Sequence, residues 1–150
     1  GIEITSNYLL TDNLYIYANL GLLKTKIKNW ESRIDLEDRS QAHAPERSYS
    51  FGGKLNLKNN FYLKLDFNGK SSFYYSDSHD NQSKSYKLTN LNFGYSTANF
   101  SVDLWIRNLF DKYYSTRGFF FGNEAPNFID TLYRRQGDPK HIGISFRYNF

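Results

Sequence analysis

The stretch TRGFFFGNEAPNF (116–128) sets Phe119, Phe120 and Phe121 in a row behind Arg117, and Arg134 and Arg135 follow a few residues later. Guanidinium groups beside aromatic faces suit an anionic, partly aromatic ligand. The simpler reading of the same residues is packing, with the three phenylalanines closing a loop over whatever lies beneath. The three histidines, His43, His79 and His141, are far apart, and no cysteine is present. His43 and His79 fall in polar loops at one end of the molecule, where solvated side chains outweigh a metal site. No nucleophile elbow, phosphate-cradling glycine loop or zinc-spaced histidine pair occurs. The expectation is therefore no catalytic residue, no metal and no cofactor, and a protein that binds rather than transforms.

The elements that position these residues read as strands. In NFYLKLDFNGKSSFYYS (60–76), Phe61, Leu63, Leu65, Phe67, Phe73 and Tyr75 share one parity, while Tyr62, Lys64, Asp66, Asn68 and Lys70 share the other. Period two sustained over about fifteen residues predicts one long strand. The same alternation runs through GIEITSNYLL, RSYSFGGKLNL, FSVDLWIRN and the closing HIGISFRYNF, and more weakly through YKLTNLNFGY. NLYIYANLGLL is ambiguous, because Tyr15 and Tyr17 make its second face partly apolar. Seven strands result. Three connections, at 11–13, 58–60 and 96–99, have tight-turn chemistry. Three others, near 29–45, 77–84 and 109–138, are long and polar. Short turns at one end and long loops at the other mark an up-and-down membrane barrel.

Composition fits that reading. Aromatic residues make up 19% of the 150 residues. Mean hydropathy is −0.67, and no apolar run approaches the roughly 20 residues of a spanning helix. The net charge is +4 but scattered, with no run of five like charges, so the basic residues read as solvated faces and loops and not as a nucleic-acid surface. The mid-strand charges Lys54, Lys64, Asp66, Asp103, Arg107 and Arg147 all take the polar parity. Lys24, Lys26 and Lys87 take the apolar parity only near strand ends. That sorting matters if the apolar face meets lipid, where a mid-depth Lys or Arg costs about 2–4 kcal/mol. Tyr8, Phe61, Tyr95, Phe100, Tyr148 and Phe150 gather at the short-turn end, and Tyr49, Phe73 and Tyr75 at the long-loop end, as two aromatic girdles. Seven antiparallel strands cannot close on themselves, since the first and last run the same way. The chain thus reads as part of a larger barrel, unless NFIDTLYRR (127–135) supplies an eighth strand.

The last 45 residues carry a resemblance. Asn108, Leu109, Phe110 and Asp111 with Tyr114, followed by Gly137 and Pro139 before the final strand and an aromatic terminus at Phe150, resemble the C-terminal end of TonB-dependent outer-membrane receptors. Lys140 stands where that family usually has Arg. His141, Gly143, Phe146, Tyr148 and Phe150 resemble the signal read by the barrel insertion machinery. The resemblance implies an all-β, antiparallel, up-and-down transmembrane β-barrel of 22 strands, with residues 1–150 as its C-terminal portion of about seven strands. It implies a bacterial outer-membrane location in contact with lipid and lipopolysaccharide. The missing parts would be a plug domain, the remaining strands and a TonB box that engages the TonB complex. The cargo would be a scarce nutrient such as a ferric siderophore. Two alternatives from the residues alone are a small stand-alone outer-membrane barrel, acting as enzyme or anchor, and a soluble lipid-binding barrel with its apolar face inside.

Overall fold

The computed structural model describes residues 1–150. It is built from nine strands: β1 (Ile2–Thr11), β2 (Leu14–Leu22), β3 (Arg47–Asn56), β4 (Phe61–Lys70), β5 (Tyr86–Ser96), β6 (Phe100–Arg107), β7 (Ser115–Phe121), β8 (Thr131–Gln136) and β9 (His141–Tyr148). A single 3₁₀ turn, Ile34–Leu36, interrupts the first long loop. Seven strands form one antiparallel sheet in the order β1-β2-β3-β4-β5-β6-β9, and β7 pairs only with β8. The sheet is a pure meander, so its edge strands β1 and β9 run in the same direction and remain unpaired with each other.

Strand pairing places the two parities as the alternation requires. Across the sheet, Tyr8, Ile16, Gly53, Leu65, Leu91, Ile106 and Ile142 lie opposite one another on one face. Asn7, Tyr17, Gly52, Asp66 and Asn90 form the neighbouring row on the other. Tyr15 and Tyr17 belong to the polar face: Tyr15 is opposite Lys54, and Lys64 sits 5.5 Å over the Tyr17 ring. That settles the ambiguous strand.

The sheet has no core of its own. Only three hydrophobic residues are buried, Leu36, Phe73 and Tyr75, and all three lie in the loops. Along the apolar face Ile4, Tyr8, Phe51, Leu63, Phe93, Leu104, Ile144 and Phe146 are exposed. A soluble sandwich or barrel would bury this face against a second layer. Strands of eight to eleven residues fit a membrane crossing, since ten residues at a 45° tilt span about 23 Å.

Three expectations need correction. The β4 strand stops at Lys70 instead of running to Tyr75: Ser71 N–H still reaches Arg47 O on β3, and beyond it the chain folds back so that Tyr74 pairs with Gln82. Phe73 and Tyr75 therefore leave the exposed apolar row and are buried beneath the loops. The upper girdle loses these two members. Residues 109–138 are not an irregular loop but hold the β7–β8 hairpin, and 131–136 is a strand of that hairpin and not an eighth wall strand. The short-turn girdle holds: Phe61 lies 5.1 Å from Tyr95, Tyr95 6.2 Å from Phe100, and Phe100 4.9 Å from Phe146.

Candidate functional site

The three long connections, 23–46, 71–85 and 108–140, gather at one end of the sheet and pack on each other. Arg39 is the centre of that contact. Its guanidinium donates to Asp80 at 2.7 Å, to Asp77 at 3.4 Å, and to the carbonyls of Ser76 and His79, and it stacks 4.4 Å over the Tyr74 ring. The side chain is only 8% exposed although its acidic partners are open to solvent. The backbone N–H of His43 donates to Tyr74 O, and the His43 ring lies 5.7 Å from Phe73. At the loop surface, two hydrogen bonds from Arg33 hold the Asp35 carboxyl below its ordinary range.

The third loop docks through aromatics. Tyr75 hydrogen-bonds Ser115 through its hydroxyl, and its ring covers Gly118, where an added Cβ would have no room. His79 meets Phe120 edge-on at 4.9 Å. Both histidines pack against phenylalanine, His43 on Phe73 and His79 on Phe120. Tyr114 stacks 4.6 Å from Tyr86 and lies against Gly137, whose N–H donates to Tyr114 O.

The hairpin sorts the candidate ligand residues onto two faces. Arg117 is opposite Arg135, Phe119 opposite Tyr133 and Phe121 opposite Thr131, all on the outer face. Gly118 with Arg134, and Phe120 with Leu132, form the inner face that meets Tyr75 and His79. The outer face presents a stacked pair, Phe119 and Tyr133 at 5.9 Å, flanked by the two guanidiniums, and none of Arg117, Arg134 and Arg135 is ion-paired. Phe120 and Arg134 face the loops instead. The structure thus brings together Arg117, Phe119, Phe121 and Arg135 and separates Phe120 and Arg134 from them.

The Asn-Leu-Phe-Asp turn has a clear local purpose. Asn108 is buried and adopts φ 48°, a left-handed conformation that asparagine tolerates. Its side-chain amide donates to Lys112 O and Asp138 O at 3.0 Å, and its oxygen accepts from Lys112 N–H at 2.8 Å. Asp111, also left-handed, accepts from Lys140 N–H at 2.8 Å. These two side chains clamp the exit of β6 to the start of β9. Leu109 donates its N–H to Thr89 O, while Phe110 is 74% exposed and Pro139 sits at the surface beside the clamp.

In β9, His141 is opposite Arg107 and Gly143 opposite Trp105, whose ring fills the space a Cβ would take. Phe146 and Tyr148 project on the apolar face opposite Val102 and Phe100, and Phe150 packs 5.1 Å from Tyr148. The polar face of the wall is knitted by charge and ring. Lys54 stands 4.2 Å over Tyr62, Tyr62 donates its hydroxyl to Asp103, Lys64 pairs with Asp66 at 3.4 Å, and Trp105 Nε1 donates to Ser145 Oγ at 3.0 Å. The Arg39 hub and the Tyr62–Asp103 pair escaped the sequence reading. Their hydrogen-bond partners are 37 to 41 residues apart, and no local spacing announces them.

An open antiparallel meander, apolar on one face and polar on the other, with long loops packed at one end, is shared by known receptors. The siderophore receptor PiuA from Acinetobacter baumannii superposes with a TM-score of 0.78 at 15% sequence identity, over 97% of this chain and 21% of its own. The ferric yersiniabactin uptake receptor FyuA from Yersinia pestis superposes with a TM-score of 0.80 at 15% identity, over 99% of this chain and 23% of its own. The chain has the fold of a siderophore-receptor barrel wall. It spans under a quarter of either receptor's length. No protein-family model matches the sequence.

Proposed function

We propose that residues 1–150 form the C-terminal wall of a TonB-dependent outer-membrane receptor that takes up a scarce nutrient, with a ferric siderophore as the leading cargo. The observation that carries this reading is the sheet with two uncovered faces. Its apolar face is continuous and exposed, which suits lipid, and its polar face is charged and ring-lined, which suits a filled lumen. The receptor fold it shares at low identity supports the same assignment. Plug and remaining strands would complete the lumen, with Lys64, Asp66, Asp103, Arg107 and Arg147 against the plug. The TonB complex would act through the absent N-terminal part, the insertion machinery would read His141, Gly143, Phe146, Tyr148 and Phe150, and lipopolysaccharide would surround the outer rim.

Arg117, Phe119, Phe121 and Arg135 on the outer face of the β7–β8 hairpin are the proposed ligand contacts, with Phe120 and Arg134 supporting them from beneath. Two guanidiniums around a stacked ring pair match an anionic aromatic iron chelate. The test is uptake of iron-55 presented as catecholate, phenolate and hydroxamate chelates, in cells carrying the parent protein. We expect uptake of at least one chelate, abolished without TonB and reduced about tenfold in the R117A/R135A double variant, equal to about 1.4 kcal/mol. Iron uptake indifferent to both changes would reject the assignment.

A further inference from the structure

The polar face of the wall carries a pairing that a strand ladder ordinarily avoids. Lys54 of β3 is directly opposite Lys64 of β4. Cross-strand partners hold their Cβ atoms about 4.5–5.5 Å apart, and like charges so placed oppose sheet formation. No other two fully charged side chains of the same sign face each other in the seven-stranded wall. The two lysines share a row with Tyr15, Asn92 and Trp105. Lys64 is the fourth residue of β4, so the pair lies in the short-turn half of the wall, away from the hairpin.

Their surroundings neutralise only one of them. Lys64 lies 3.4 Å from Asp66 on its own strand and 5.5 Å over the Tyr17 ring. Lys54 is paired with no carboxylate and rests 4.2 Å over the Tyr62 ring. Asp103 already accepts the Tyr62 hydroxyl. Two oxygens of the same patch, Tyr17 Oη and Asn92 Oδ1, are buried without a hydrogen-bond partner, and Asn92 is opposite Lys64. Water screens such a pair in an open lumen. A body that fills the lumen strips that water, and each ammonium then needs a counter-charge. One carboxylate can accept from both ammonium groups and from the Tyr17 hydroxyl. The unpaired Asn92 oxygen needs a donor, which a peptide segment supplies through its N–H groups.

We propose that Lys54 and Lys64 clamp a carboxylate, the side chain of an Asp or Glu, on the body that fills the lumen. This rests on the receptor reading above, in which that body is the plug, and adds what the wall demands of it: an acidic residue at this depth.

The test uses the whole parent receptor purified from outer membranes in mild detergent. A water-soluble carbodiimide joins an amine to a carboxylate in contact with it as an amide, and leaves as its urea with the water lost. Peptide mass mapping should find Lys54 or Lys64 joined to an Asp or Glu outside residues 1–150. The K54Q/K64Q variant should lack that link, and amide hydrogen exchange in the linked segment should quicken about tenfold. The K54R/K64R variant keeps both charges and should hold the wild-type exchange rate. Absence of any link beyond Lys64 to Asp66 would overturn the clamp, and so would exchange that K54Q/K64Q leaves unchanged. The same preparations are scored for outer-membrane fractionation and heat-modifiable mobility. In a correctly inserted receptor either negative result refutes the clamp alone, whereas a parent protein that has no lumen-filling domain, or never reaches the membrane, refutes the receptor reading with it.

Discussion

Asn108 does three things at once: it turns the chain through a left-handed conformation, caps the 108–112 turn and reaches across to Asp138. Replacing it separates these roles. Asn108→Ala loses three side-chain hydrogen bonds, each worth about 1 kcal/mol, and puts alanine at a positive φ that asparagine tolerates better, so a loss of about 3–4 kcal/mol is expected. Asn108→Gly should recover only the backbone share, about 1 kcal/mol. Denaturant unfolding in detergent micelles measures both, and variants within 0.5 kcal/mol of wild type would show that the clamp is incidental. Arg39 is the comparable residue among the loops. Arg39→Leu removes the donor that joins loop 23–46 to loop 71–85, and protease cleavage within 71–85 should quicken about tenfold. Unchanged cleavage would mean the loops hold by other contacts. The sequence marked Asn108 through its neighbours in a motif, and the structure supplies the reason for it. Arg39 carried no mark, since a lone arginine in a polar loop looks alike whether it is free or the hub of four acceptors.

At the scale of the element, alternation predicted which side chains share a face, and pairing agrees with it in the wall strands β1, β3 to β6 and β9, while β2 was ambiguous until its partners were known. What alternation could not locate was the end of a strand. Phe73 and Tyr75 keep the parity of β4 but lie beyond its last ladder bond, where the chain folds back to pair Tyr74 with Gln82. Period two persists through such a segment although its environment has changed from wall to loop core. The β7–β8 hairpin was hidden for a related reason: FFF followed by a glycine, an alanine and a proline shows neither alternation nor a two-residue turn. Parity itself can be tested within one strand. Leu63 faces outward between Leu55 and Phe93, and Lys64 faces the other side. Leu63→Lys should cost about 2–4 kcal/mol on folding into lipid vesicles, and Lys64→Ala under about 1 kcal/mol. Equal costs would mean that neither face meets hydrocarbon.

At the scale of the whole molecule, the direction of the edges decides what the sheet can become. β1 and β9 both run from the long-loop end to the short-turn end, so antiparallel pairing between them is impossible without at least one further strand. Each edge carries unpaired backbone groups that hydrocarbon cannot satisfy, at several kcal/mol apiece. A complete barrel of this topology therefore needs an odd number of additional strands, and β9 must meet one of them. The absence of native cysteine makes the arrangement directly accessible to cross-linking. Asp103 and Ser145 are opposed across β6 and β9, so an Asp103→Cys/Ser145→Cys pair in the membrane-inserted protein should form a disulfide readily, its Cα separation falling within the 4.4–6.8 Å range that the bond accepts. Thr5→Cys/Ser145→Cys, one partner on each edge, should remain reduced under the same oxidation. Efficient cross-linking of that second pair would bring the edges together, make the seven strands a closed unit, and remove the need for any larger barrel, and with it the argument for a plug-filled lumen behind the polar face.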